Sequence, residues 1–241
     1  MLKHVGRYAP VMLVLVLSAC SPAPQVPAGP VAVEATYRLL FNDALVGDAL
    51  FVLQIGTDGS YQIEAFTTPA GQMKRAEGHE VLESSRGVID SDGVRPQRFD
   101  HSVMADEQIQ SVKLIFDHER NLLRITDQQK ERTTALLPST QDHLSYLLTA
   151  QRLAMKGSGA AEIKIASTGL TEQTQLKVVG PEAIDVPLGH YETIAIRRLT
   201  SKPNEIRALW FDTGLSPLPV RVVHGWAGNT VDMQLESLSR R

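Results

Sequence analysis

The chain has 241 residues, 43% of them hydrophobic, with Lys+Arg 24 against Asp+Glu 27 and a formal charge of −3. That length accommodates an all-β sandwich or barrel as one unit, and the charge provides no basic face of the kind that neutralises a phosphate backbone, so nucleic acid is excluded as a partner. Aromatic residues, at 5%, are too sparse for base stacking, and the single cysteine excludes a disulfide framework, a CxxC redox pair and a cysteine-rich zinc site.

The first element is a leader. Lys3 and Arg7 precede an apolar run from Val11 to Leu17 and a small-residue end, the anatomy of a secretory signal over residues 1–19. The apolar run is too short for a permanent span, which needs about 20 apolar residues. Leu17-Ser18-Ala19-Cys20 resembles the bacterial lipobox, in which the cysteine thiol receives a diacylglycerol and cleavage precedes the cysteine. Cys20 is therefore expected to be a lipid anchor, and two or three acyl chains on one residue hold a protein to a membrane where one would not. Ser21 stands where inner-membrane retention usually uses aspartate, so the expected location is the periplasmic face of the outer membrane. Residues 20–33 carry Pro22, Pro24, Pro27 and Pro30 and read as an extended tether. At ~3.1 Å per residue such a tether reaches about 40 Å.

The folded body is expected over 34–241. Turn chemistry recurs at Asn42-Asp43, Thr57-Asp58-Gly59-Ser60, Ser91-Asp92-Gly93, Lys202-Pro203-Asn204 and Ala227-Gly228-Asn229. Between these turns, runs such as Val112, Leu114 and Phe116 alternate with Lys113 and Ile115, the period-2 signature of a sheet. The pattern predicts strands at 33–41, 46–55, 60–68, 79–89, 95–104, 108–116, 121–126, 131–136, 161–167, 171–179, 190–199, 205–212, 219–225 and 230–238. One segment breaks it. Ser139-Thr140-Gln141-Asp142 reads as a capping box opening a helix over 140–156, with Gly157 as its left-handed C-terminal cap. Leu144, Leu147, Leu148, Gln151 and Met155 fall on one face of that helix.

Catalytic and metal signals are weak. Trp210-Phe211-Asp212-Thr213-Gly214 runs into the Asp-Thr-Gly of an aspartic protease, but that chemistry needs two carboxylates sharing a proton and no second copy occurs, so the segment reads as a strand ending in a turn. His4, His79, His101, His118, His143, His190 and His224 show no i, i+2 or i, i+4 pair that would form a local metal site. Asp106-Glu107 and Asp117 with Glu119 read as solvated loop charge. With no Gly-x-Ser-x-Gly elbow, P-loop or Gly-x-Gly-x-x-Gly, no enzyme activity and no cofactor is expected.

Several stretches in order resemble a family of bacterial envelope proteins, the domain of unknown function 3108. They are Tyr37-x-Leu39 with Gly47-Asp48-Ala49, Asp58-Gly59-Ser60-Tyr61, Gly93-Val94-Arg95-Pro96 with Phe99, and Pro138-Ser139-Thr140-Gln141-Asp142-His143-Leu144-Ser145. Val179-Gly180-Pro181-Glu182, Gly189-His190-Tyr191-Glu192-Thr193, Leu209-Trp210-Phe211 and Leu218-Pro219-Val220-Arg221 follow. The resemblance implies a mainly antiparallel, curved sheet with a central helix and no particular activity. Residues 214–221 are also similar to periplasmic lipoprotein-carrier half-barrels, which hold acyl chains in the hollow of a sheet. The expected architecture is all-β, a curved open or incomplete β-barrel with the helix packed on its concave face. The expected role is non-enzymatic binding of an apolar or amphipathic, lipid-like envelope ligand by the five helix residues. The alternative is a scaffold presenting a sheet edge or loop face to a protein partner in an envelope assembly.

Overall fold

The computed structural model describes residues 30–70, 79–105, 108–169, 171–200, 202 and 204–240, so the leader, Cys20 and most of the expected tether lie outside the described residues. The strands are β1 (Val31–Phe41), β2 (Ala44–Ile55), β3 (Ser60–Pro69), β4 (Glu80–Asp90), β5 (Gly93–Ala105), β6 (Gln108–Asp117), β7 (Leu122–Asp127) and β8 (Lys130–Ala135). After the two-residue β9 (Thr140–Gln141) comes helix α1 (Ser145–Lys156). Then follow β10 (Ala160–Ile165), β11 (Glu172–Val186), β12 (Gly189–Leu199), β13 (Ile206–Phe211), β14 (Arg221–Trp226) and β15 (Asn229–Arg240).

All fifteen join one sheet in the order β8-β7-β6-β5-β4-β3-β2-β1-β15-β14-β13-β12-β11-β10-β9. Every neighbouring pair is antiparallel except β9 with β10. The reason is local. In β3, Tyr61, Ile63 and Ala65 are buried while Gln62, Glu64 and Phe66 between them are exposed, so one face turns inward and the other meets water. Asn42 and Asp43 both take positive φ, 48° and 66°, the turn whose twist matches a two-residue hairpin. Tyr37 is completely buried, its ring meets Phe51 edge-on at 5.3 Å, and its hydroxyl donates to the Pro219 carbonyl at 2.8 Å.

The barrel is incomplete because its two edge strands never pair. All six residues of β8 are exposed, and Lys130, Glu131 and Arg132 charge that edge against further pairing. Near β9, the Gln141 Nε2 donates to the Val94 carbonyl of β5 at 2.8 Å, a side-chain link where a backbone ladder would otherwise run. Arg132 reaches across to the carbonyls of Thr168 and Gly169. Helix α1 packs on the concave face against β5 and β10 to β13. No helix among the described residues is long and apolar enough to cross a membrane.

The observed strands follow the expected ones closely, with three departures. Residues 140 and 141 form strand rather than helix. Strand β11 continues past Gly180-Pro181 to Val186 through a register shift between Val178 and Gly180. Strand β1 begins at Val31, so the body starts inside the expected tether.

Candidate functional site

The helix entrance differs from the expected capping box, and its geometry organises the site. Ser139 sits at φ 58° and so belongs to the turn before β9. Asp142 takes the capping role. Its Oδ1 accepts the backbone N–H groups of Leu144 and Ser145, each at 2.8 Å, while the Ser145 hydroxyl accepts the Asp142 N–H at 2.9 Å. The Ser85 hydroxyl of β4 donates to Asp142 Oδ2 at 2.7 Å, and the Tyr61 hydroxyl of β3 lies 3.1 Å from that of Ser85. Asp142 is fully buried with no cation partner among the described residues, and burial pushes its carboxyl up to about 6 despite the hydrogen bonds that oppose the shift. Burial likewise pushes the Tyr61 hydroxyl up. Gly87 makes room for this network. A β-carbon there would stand 2.9 Å from the Tyr61 ring and 2.2 Å from the Arg95 carbonyl.

Three of the five helix residues expected to meet a ligand are buried in the core. Leu144, Leu147 and Leu148 are 2 to 4% exposed among buried neighbours. Gln151 is half-buried. Met155 has the right angle around the helix but lies in its last turn, about 16 Å along the axis from Leu144 at 1.5 Å per residue. It is 47% exposed.

A neighbouring stripe of the same helix does line a cleft. Thr149, Arg152, Leu153 and Lys156, at i, i+3, i+4 and i+7, share a space of about 480 Å³ with Val94, Leu136 and Ile163, beside the seam where the barrel fails to close. Arg95 is neutralised by Asp90, whereas Arg152 and Lys156 make no ion pair among the described residues. Asp92 and Glu162 lie at the exposed rim. Gln141 Oε1 and Thr149 Oγ1 are buried without a hydrogen-bond partner, two of three such atoms among the described residues. Because the Gln141 amide nitrogen is fixed on the Val94 carbonyl, turning the amide over would set two acceptors against each other.

Another cleft, of about 340 Å³, is lined by Phe99, Val112 and Leu114 together with Glu83, His101, His143, Ser167 and Thr168. His101 Nδ1 is 3.0 Å from Glu83 Oε1, and this hydrogen bond pushes the imidazole up. Desolvation pushes His143 down. The buried Arg198 bonds Glu172 at 2.8 Å and lies over the Tyr146 ring, and burial lowers it too. Glu205 is opposed by burial, yet hydrogen bonds from Thr200, Arg207 and His224 hold its carboxyl down to about 2. Sequence spacing carried no sign of these groups, since β4, β5 and the helix entrance bring them together from far apart. Among the described residues no three His, Cys, Asp or Glu side chains are arranged to hold a metal. The Asp212 carboxylate is occupied by its own turn, accepting the N–H groups of Gly214 and Leu215 at 2.9 and 3.0 Å.

The family model described as a protein of unknown function, DUF3108, matches residues 35–236. A search of curated proteins returns no match. Among solved structures the chain is similar to a β-barrel-like protein of the domain of unknown function DUF1849 from Brucella abortus, with a TM-score of 0.59 and 12% identity. That likeness covers 89% of this chain and 99% of the other, and at such identity it concerns the fold alone.

Proposed function

We propose that this chain, which belongs to the DUF3108 family, is a lipid-anchored protein of the periplasmic face of the outer membrane that binds an amphipathic, anionic ligand without catalysis. The observation that carries the reading is the helix stripe at the open seam. Arg152 and Lys156 supply two cations free of carboxylate partners beside Val94, Leu136, Leu153 and Ile163, a pairing of charge with apolar wall that suits a carboxylate or phosphate head on a hydrocarbon chain. A cleft of this size falls in the range that small ligands occupy, and it follows from the barrel's failure to close. The lipobox supports the anchor, and the Pro-rich segment supports a body held away from the lipid.

The mature chain carrying Cys20→Ser, secreted to the periplasm and purified without detergent, is expected to carry lipid detectable by extraction and mass spectrometry. A fluorescent fatty-acid probe should bind it, and Arg152→Glu with Lys156→Glu should weaken the probe by about tenfold, roughly 1.4 kcal/mol, with an unchanged melt. Equal binding by both proteins would place the ligand elsewhere. The anchor is tested separately. Cys20→Ser should abolish palmitate labelling and cleavage by the lipoprotein route, and continued labelling would refute it.

A further inference from the structure

The outer wall of strands β2 to β6 carries an apolar band interspersed with acids, and we infer that it docks a partner protein through a segment of apolar residues interleaved with lysine or arginine. The ladder register aligns the band. Leu50 stands opposite Phe66 and Phe66 opposite Leu82, while Met104 stands opposite Ile109 one row further along. These side chains point outward, because Phe51, Ala65 and Phe99 on the same strands are buried on the other face. Phe66, Leu82, Met104 and Ile109 are 38, 50, 53 and 68% exposed. Scattered exposed apolar residues are ordinary, but the Phe66–Leu82 pair on β3 and β4 beside the Met104–Ile109 pair on β5 and β6, one row apart, forms a patch of the kind that marks an interaction site.

Charge selects the occupant. Within the row that holds Met104 and Ile109, Asp48 stands opposite Thr68 and Glu80 opposite Met104. In the row beyond Leu50, Phe66 and Leu82, Glu64 stands opposite Val52 and Ser84. None of Asp48, Glu64 and Glu80 makes an ion pair among the described residues, whereas Asp100 nearby is held by Arg98. Cations near these rows are Lys113, opposite Asp100, Arg38 of β1, opposite Asp48 but paired with Glu236, and Arg86, one row beyond Glu64. An anionic lipid surface would repel the three acids. A second copy docked by the same band would set acid against acid. A basic and apolar segment satisfies both parts of the pattern, and this inference is independent of the ligand cleft.

The test uses the mature chain with Cys20→Ser in detergent-free buffer and two labelled short peptides, one of leucine and lysine, one of leucine and glutamate. Fluorescence anisotropy should show the lysine peptide binding at least about tenfold tighter than the glutamate peptide. Leu82→Asp should abolish that binding, and Glu64→Lys with Glu80→Lys should reverse the preference. Indifference of the peptides to these substitutions would overturn the inference. So would vesicles of phosphatidylethanolamine and phosphatidylglycerol sedimenting with wild type but not with Leu82→Asp, or a dimer in sedimentation that Leu82→Asp dissolves. A marked fall in melting temperature for Leu82→Asp would overturn it as well, since the band would then be packed within the chain.

Discussion

Truncating Leu147 to alanine is expected to cost about 2 to 5 kcal/mol, the range for large-to-small changes in packed interiors. Leu147 is 4% exposed, its neighbours Leu144 and Leu148 are 2% exposed, and all three are enclosed by inward-facing residues of the sheet. The helix enters a barrel that its own strands do not close, so the surrounding wall is held by ladders and collapses little around a lost side chain. The resulting void keeps most of its volume and most of its cost. Denaturant melts of wild type and Leu147→Ala at constant slope measure the loss. Met155→Ala, on the same helical angle but exposed, should stay within about 0.5 kcal/mol. A loss below about 1 kcal/mol at Leu147 would mean that this face borders open space after all.

The second large effect is expected at Asp142. Its carboxyl titrates at about 6 in the folded chain because burial penalises the charge, against about 3.9 in an unfolded chain. Below about pH 4 the group is protonated in both states and its relative stabilisation is fully present. That stabilisation is lost as pH rises through about 6, and above this it is ionised in both states at a cost on the order of 3 kcal/mol. Asp142→Asn keeps an oxygen for the Leu144 and Ser145 amides and an NH₂ group for the Ser85 hydroxyl. The difference in unfolding free energy between the two proteins should therefore shift in favour of the asparagine variant between pH 4 and 7. Other carboxylates cancel in that difference. Asp142→Ala removes the acceptor for two amides and for Ser85, leaving buried donors unmet at about 1 to 3 kcal/mol each. A pH-independent difference between wild type and Asp142→Asn would refute the assignment.

Strand positions were legible because alternation is local. The burial of Tyr61, Ile63 and Ala65 follows from residues two apart, and the turn at Asn42-Asp43 follows from two residues that accept positive φ. The Gln128-Gln129 turn, with φ of 44° and 74°, was not legible from its own residues, since glutamine is no turn former and the ladder between β7 and β8 imposes the conformation. The helix shows the boundary most plainly. Its existence and its apolar face were readable, but Ser139 lost the capping role to Asp142, which the Ser85 hydroxyl, itself bonded to Tyr61, reaches from a strand more than fifty residues earlier. The leucines were readable as one face, yet whether that face met a ligand or the core depended on the far wall.

By itself the sequence determined the all-β class, the run of antiparallel hairpins, the central helix and the family likeness, because each rests on periodicity, turn chemistry or motif order within a short stretch. The tertiary structure alone decided that the edges β8 and β9 do not pair with each other, that Thr149, Arg152, Leu153 and Lys156 border a cleft while Leu144, Leu147 and Leu148 are buried, and that Glu83, His101 and His143 meet. Those outcomes depend on which strands become neighbours around a curved sheet. Contacts between residues distant along the chain, set by curvature and closure, leave no mark in the local pattern that specifies each strand.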